Sequence, residues 1–171
     1  WAPFNAVQLI APSEGYVWAA RTGVGPMAVK GFDRYEAGAG DMRWRAFGRI
    51  SLNDGDGEDV SRSAAGRLAL DAVFVPGSFL TEAVSWETGA DDDHALARRA
   101  LHGDTHTVEL RVEADGALRG ARLQRWAKPL GRAWGSYRCE LAFADEVSFD
   151  GVVLPSRLRA SYRFDDVDDD V

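Results

Sequence analysis

The sequence predicts a mainly β fold of the α+β class: a curved antiparallel sheet or half-barrel of about ten strands around one central helix. Three observations carry this reading. Apolar and polar residues alternate with period two through most of the chain, as in Met42, Trp44, Ala46 against Arg43, Arg45, Phe47. A single stretch has helical spacing, with Val60, Ala64, Leu68, Ala72 and Ala65, Ala69, Val73 at every fourth position. Short turn signals such as Asp115-Gly116 and Asp150-Gly151 join consecutive alternating runs, which favours hairpins over parallel crossovers.

The elements follow in order. Pro3 to Ala11 and Tyr16 to Arg21 flank the turn cluster Pro12-Ser13-Glu14-Gly15. Met27 to Tyr35 places Val29, Gly31, Asp33 and Tyr35 on one face, and Gly38 and Gly40 supply the next turn. After the strand around Trp44, Gly48 reads as a bulge before Arg49 to Leu52, and Asn53-Asp54-Gly55-Asp56-Gly57 breaks the pattern. The helix is expected from Glu58 to Val75, capped by Asp56 or Ser61 and stopped by Pro76, with Pro76 to Leu80 making one extra turn. Val84 to Glu87, His94 to Leu101, Thr107 to Glu113, Ala117 to Trp126 and Tyr137 to Phe149 complete the strands, with a last one carrying Leu158, Ala160, Tyr162 and Phe164. The acidic end, 165–171, is expected to fray in solvent.

A chain of 171 residues, 46% hydrophobic, suits one domain over 1–171 with its own core. The formal charge of −7 argues against a nucleic-acid binder, because phosphate contacts need a net basic surface. No apolar run reaches the ~18 residues of a membrane span, so the chain reads as soluble. Cys139 is the lone cysteine, on the apolar register of its strand, which suggests a small buried hydrophobe. Arginine outnumbers lysine (Lys30 and Lys128 only) and isoleucine stands only at positions 10 and 50, a bias that points to a GC-rich bacterial genome. Trp1 is no initiator residue, so the chain reads as a fragment or processed form, and its localisation stays open.

Chemistry-bearing motifs are sparse. His102 and His106 flank Gly103-Asp104-Thr105, but no second cluster completes a zinc set, so no metal or other cofactor is expected. No nucleophile elbow or phosphate loop is present, and no catalytic residue is assigned. The aromatic content is the positive signal. Trp18, Tyr35, Trp44 and Trp86 are expected to line a concave face, with Ala6, Gly31 and Ala46 leaving room beside them. Asp33, the polar residue on that face, needs a partner, and Arg43 or Arg45 on the next strand would serve. The leading reading is non-enzymatic binding of an apolar or lipid-like ligand at Trp18, Asp33, Tyr35, Trp44 and Trp86. The alternatives are a hydrolase or isomerase using Asp33, and a protein–protein interaction module acting through a sheet edge or the acidic tail.

A resemblance supports the fold. Pro3-Phe4-Asn5-Ala6-Val7-Gln8, Tyr16-Val17-Trp18-Ala19, Asp33-Arg34-Tyr35 with Gly38-Ala39-Gly40-Asp41-Met42, the helix ending at Pro76, Val84-Ser85-Trp86-Glu87, Asp115-Gly116, and Gly135-Ser136-Tyr137 with Val153-Leu154-Pro155 resemble a family of uncharacterised bacterial proteins. That family implies no agreed function and no catalytic residues. Its strand–helix–strand order is in turn similar to periplasmic lipoprotein carriers, whose incomplete β-barrel with a helical lid holds acyl chains. Carrier-like architecture is therefore what the resemblance implies.

Overall fold

The computed structural model describes residues 4–23 and 28–163. Among these residues, eleven strands form two antiparallel meanders, one on each side of a single α-helix in sequence. The first sheet has the order β1 (Phe4–Ala11), β2 (Gly15–Thr22), β3 (Val29–Glu36), β4 (Ala39–Ala46) and β5 (Ile50–Gly55). Helix α1 (Glu58–Asp71) follows, then two 3-10 turns, Ala72–Phe74 and Pro76–Leu80. The second sheet runs β6 (Val84–Thr88), β7 (His94–Leu101), β8 (Asp104–Val112), β9 (Leu118–Ala127), β10 (Gly135–Phe149) and β11 (Val152–Arg163), each paired to the next. The expected mainly β class with one helix is thus observed, without a closed barrel. The strands divide between two sheets because the helical stretch between β5 and β6 interrupts the ladder.

Helix α1 packs against β4 and β3 of the first sheet and β9 of the second, so it separates the two. Its composition explains how one helix can face both. Val60, Ala64, Ala65, Leu68, Ala69 and Leu70 are all buried, with the small Ser63 and Gly66 between them. Small residues also allow close approach: a Cβ on Gly40 of β4 would lie 2.9 Å from Ser61 Cα and 3.0 Å from the Val60 carbonyl oxygen. On the other side the stem of Arg125 lies over Gly66. Leu68, Ala72 and Val73 reach the centre of a core shared with Tyr16, Tyr35, Val108, Leu123, Leu141 and Phe143.

Several local expectations are corrected. The α-helix ends at Asp71 rather than Val75, and the chain tightens into 3-10 geometry before Pro76. Neither Asp56 nor Ser61 caps it: the N-cap is Gly57 at φ 91°, without a side-chain cap. The Ser61 hydroxyl instead donates to the Gly57 carbonyl and accepts from the Gly40 N–H, at 2.7 and 2.9 Å. Gly48 belongs to the β4–β5 turn, where Phe47 and Gly48 both have positive φ, and the bulge lies between Trp44 and Arg45. Met27, Phe164 and the acidic end lie outside the described residues.

Candidate functional site

The concave face of the first sheet takes its polarity from one row. Trp18 of β2 stands opposite Asp33 of β3, which stands opposite Met42 of β4, while Gln8 of β1 stands opposite Trp18. These positions share a face by strand alternation. Arg67 descends onto them from α1. Its Nη1 donates to Asp33 Oδ2 at 2.9 Å and its Nε to Asp71 Oδ2 at 3.1 Å, one helical turn on. Trp44 Nε1 donates to the other oxygen, Asp33 Oδ1, at 3.0 Å, and Gln8 Nε2 donates to Asp71 Oδ2 at 2.6 Å. The Arg67 guanidinium lies 4.9 Å from the ring centres of both Tyr16 and Trp18, at cation–π range.

Asp33 therefore has a partner, but it is Arg67 and not Arg43 or Arg45. In the β3–β4 register Arg43 faces Phe32 and Arg45 faces Lys30, so both project from the opposite face. Arg45 pairs there with Asp54. Both Asp33 oxygens are engaged, Oδ2 by the charged Arg67 guanidinium and Oδ1 by the Trp44 indole.

The five aromatic and acidic residues expected to act together are dispersed. Trp18 and Trp44 do meet, with ring centres 5.6 Å apart, and Phe4 adds an edge contact to Trp18 at 6.3 Å. The space expected above Gly31 is filled by the Trp44 ring, since a Cβ there would fall 2.3 Å from Trp44 Cδ2. Tyr35 lies at the far end of the sheet, its ring edge-on to His102 at 5.4 Å. Trp86 belongs to the other sheet, where its Nε1 donates to the Phe79 carbonyl at 3.3 Å. Of five clefts of about 340 to 550 Å³, Tyr35 lines two, and Trp18, Asp33, Trp44 and Trp86 line none.

One of the Tyr35 clefts is lined mostly by apolar side chains. About 340 Å³ in volume, it is formed by Leu9, Ile10 and Ala11 of β1, Tyr16 and Val17 of β2 and Tyr35 of β3, with Glu14, Arg34 and Glu36 as its charged members. Burial pushes the Tyr16 hydroxyl up to about 12, against the opposing charges of Arg67 and Arg125. Beside the cleft runs the edge strand β1, whose eight residues FNAVQLIA carry no charge and no proline. Phe4, Val7 and Leu9 on it are 60%, 65% and 72% exposed. In the second sheet the edge strand β11 is guarded by Pro155 and by Arg157, Arg159 and Arg163.

Sequence reasoning passed over Arg67 and Arg99. Each was visible as a charged residue set into an apolar register, Arg67 between Ala64 and Leu68, and Arg99 between Ala97 and Leu101. His102 and His106 occupy the β7–β8 hairpin, His102 in the turn at φ 48°. Among the described residues no three His, Cys, Asp or Glu side chains are placed to share a metal ion. Cys139 is buried on the inner face of β10, and burial raises its thiol.

The architecture defines a class, a mostly β domain of two antiparallel sheets divided by one helix. Within that class the chain belongs to a family of unknown function, DUF6544, whose model matches residues 1–170. No curated protein and no solved structure matches the chain. Among the described residues no helix is long and apolar enough to cross a membrane.

Proposed function

We propose that this protein is a non-enzymatic binder of an apolar or lipid-like ligand, and that the ligand seats in the cleft between the β1–β2 and β3–β4 ends. The observation that carries this reading is the cleft's composition: Leu9, Ile10, Ala11, Tyr16, Val17 and Tyr35 supply most of its lining, and charge is confined to three residues. Its volume of about 340 Å³ falls within the range of small-molecule sites. Of the residues expected from the sequence, Tyr35 lines this cleft, while Trp18 and Asp33 lie outside its lining and contact the Arg67 that stacks on Tyr16. The engaged state of Asp33 weighs against the hydrolase or isomerase alternative. The test is a titration with Nile red, an uncharged apolar probe. Saturable micromolar binding is expected, weakened at least ~10-fold by Leu9→Asp, a change at an exposed position that leaves the core untouched. Absence of saturable binding by the folded protein would reject the reading.

A second reading, an interaction module, draws on a separate observation, the uncharged edge of β1. An unprotected edge offers its free backbone groups to another strand. Val7→Lys would remove self-association or partner capture under this reading, yet leave Nile red binding in place.

A further inference from the structure

We propose that Arg99 and His106 form the floor of an oxyanion-binding site, entered through the cleft between α1 and the β7–β8 turn. The two residues stand opposite each other in the β7–β8 register, on the face turned toward the core. Arg99 is 6% exposed. Its Nη2 donates to the Pro12 carbonyl at 2.9 Å, and its buried Nε and Nη1 find no acceptor among the described residues. Nε2 of His106 is likewise buried and without a partner. Three polar atoms with unmet hydrogen-bonding capacity thus cluster on neighbouring strands, in a core where such atoms are ordinarily paired.

The charge balance points to an anion. Two other partly buried guanidiniums have carboxylate partners, Arg67 with Asp33 and Asp71 and Arg122 with Glu109, while Arg125 is hydrogen-bonded to Ser63 and Tyr162. Arg99 has a carbonyl and no carboxylate within 4 Å among the described residues. An arginine keeps its charge even when buried, so water alone would supply hydrogen bonds without a counter-charge. An oxyanion, carboxylate or phosphate, supplies both. Burial lowers the basicity of Arg99, and no acid offsets it. His106 is lowered too, by burial first; Asp104 opposes this, and Arg99 and Arg62 add to it.

An entrance lies beside the pair. A cleft of about 380 Å³ is lined by Tyr35, Ser61, Arg62, Leu101, His102 and Asp104, among others. Leu101 and Asp104 are two residues along from Arg99 and His106 on the same strand faces, about 7 Å away. Arg62 lines the cleft and is near enough to His106 to act on it. An anion entering this cleft would meet the Arg62 guanidinium on a lining that also carries Glu58 and Asp104, before reaching Arg99. This site is separate from the apolar cleft proposed above, so either can fail alone.

The test titrates inorganic phosphate and sodium acetate separately at constant ionic strength set with chloride, following the His106 ring by NMR and heat by calorimetry. One of the two should shift the His106 ring saturably, with a Kd below ~10 mM, and the tighter one identifies the ligand's anionic group. Arg99→Met should weaken binding at least tenfold, whereas Arg111→Met, an exposed arginine on the opposite face of the same sheet, should not. No saturable shift with either anion would mean internal water only and overturn the proposal. So would undiminished binding by a folded Arg99→Met variant. Should Arg99→Met fail to fold, the titration of the unaltered protein still decides, and Arg99→Lys, which keeps the charge but not the fork, serves as the variant.

Discussion

Asp33 and Arg67, thirty-four residues apart, meet at 2.9 Å between β3 and α1, and their ion pair joins the first sheet to the helix. Each has a second partner, Trp44 for Asp33 and Asp71 for Arg67. Both side chains are about one-fifth exposed, so solvent screens the pair only in part. Asp33→Asn should destabilise the protein by about 1–3 kcal/mol, chiefly by leaving Arg67 with reduced counter-charge. Urea titration measures the loss, and the emission of Trp18 and Trp44, both next to the pair, should shift with it. A double-mutant cycle with Arg67→Met separates the coupling from the single losses.

Leu68 lies at the centre of the core, fully buried between the two sheets. Leu68→Ala removes atoms that the strands on either side cannot easily move to replace. A loss of about 2–5 kcal/mol is expected in denaturant unfolding. A change within the titration's error would mean that α1 contributes nothing to the packing.

Gly40 marks the closest approach of sheet to helix. A methyl group there would press against backbone atoms of Val60 and Ser61, which cannot swing aside as a side-chain tip can. Gly40→Ala should cost about 1–3 kcal/mol, although alanine is the smallest possible addition. Gly57→Ala tests the other demand on a glycine, since its φ of 91° is unfavourable for any residue with a Cβ. Its loss should be visible even though no neighbour lies in the way.

The pH dependence should carry two signatures. His106 binds a proton less tightly in the folded chain than at its ordinary value of 6.5, so its contribution to stability is complete above pH 6.5. That contribution is lost as pH falls through the lower folded value, because the unfolded chain then takes up the proton first. His106→Gln should flatten the acid side of the stability curve. Tyr16 behaves in the opposite sense. Its folded value of about 12 lies above the ordinary 10, so its contribution holds below pH 10 and disappears as pH rises from 10 toward 12. Tyr16→Phe should flatten that alkaline limb. Thermal melts across pH check both.

The predicted strands and the hairpin turns at Asp115-Gly116 and Asp150-Gly151 match the observed elements closely, because alternation and turn chemistry act between near neighbours. The buried faces were legible for the same reason: Val108, Leu110, Cys139, Leu141 and Phe143 are all inside, as their register implies. The helix's apolar positions, Val60 to Val73, were readable too. Its end was not, because the residues at 72–75 satisfy a helical pattern while the backbone tightens to enter Pro76.

The candidate sites were harder to read because they depend on pairs distant in sequence. Trp18, Tyr35 and Trp44 share a face with Asp33, but Trp86 shares it only if one sheet holds every strand. The division into two sheets sends Trp86 to separate surroundings, and Tyr35 stands at the far end of its face beside His102.

By itself, then, the sequence determined the class of each element, the face each strand buries and the apolar positions of the helix, since these follow from spacing along the chain. The tertiary structure alone decided that Arg67 rather than Arg43 or Arg45 answers Asp33, and that Arg99 comes to rest beside His106 without an acid. It also decided that Leu9, Tyr16 and Tyr35 share a cleft. The physical reason is that a charge or a cavity is defined by what surrounds it in three dimensions, and these surroundings come from the way α1 divides the two sheets.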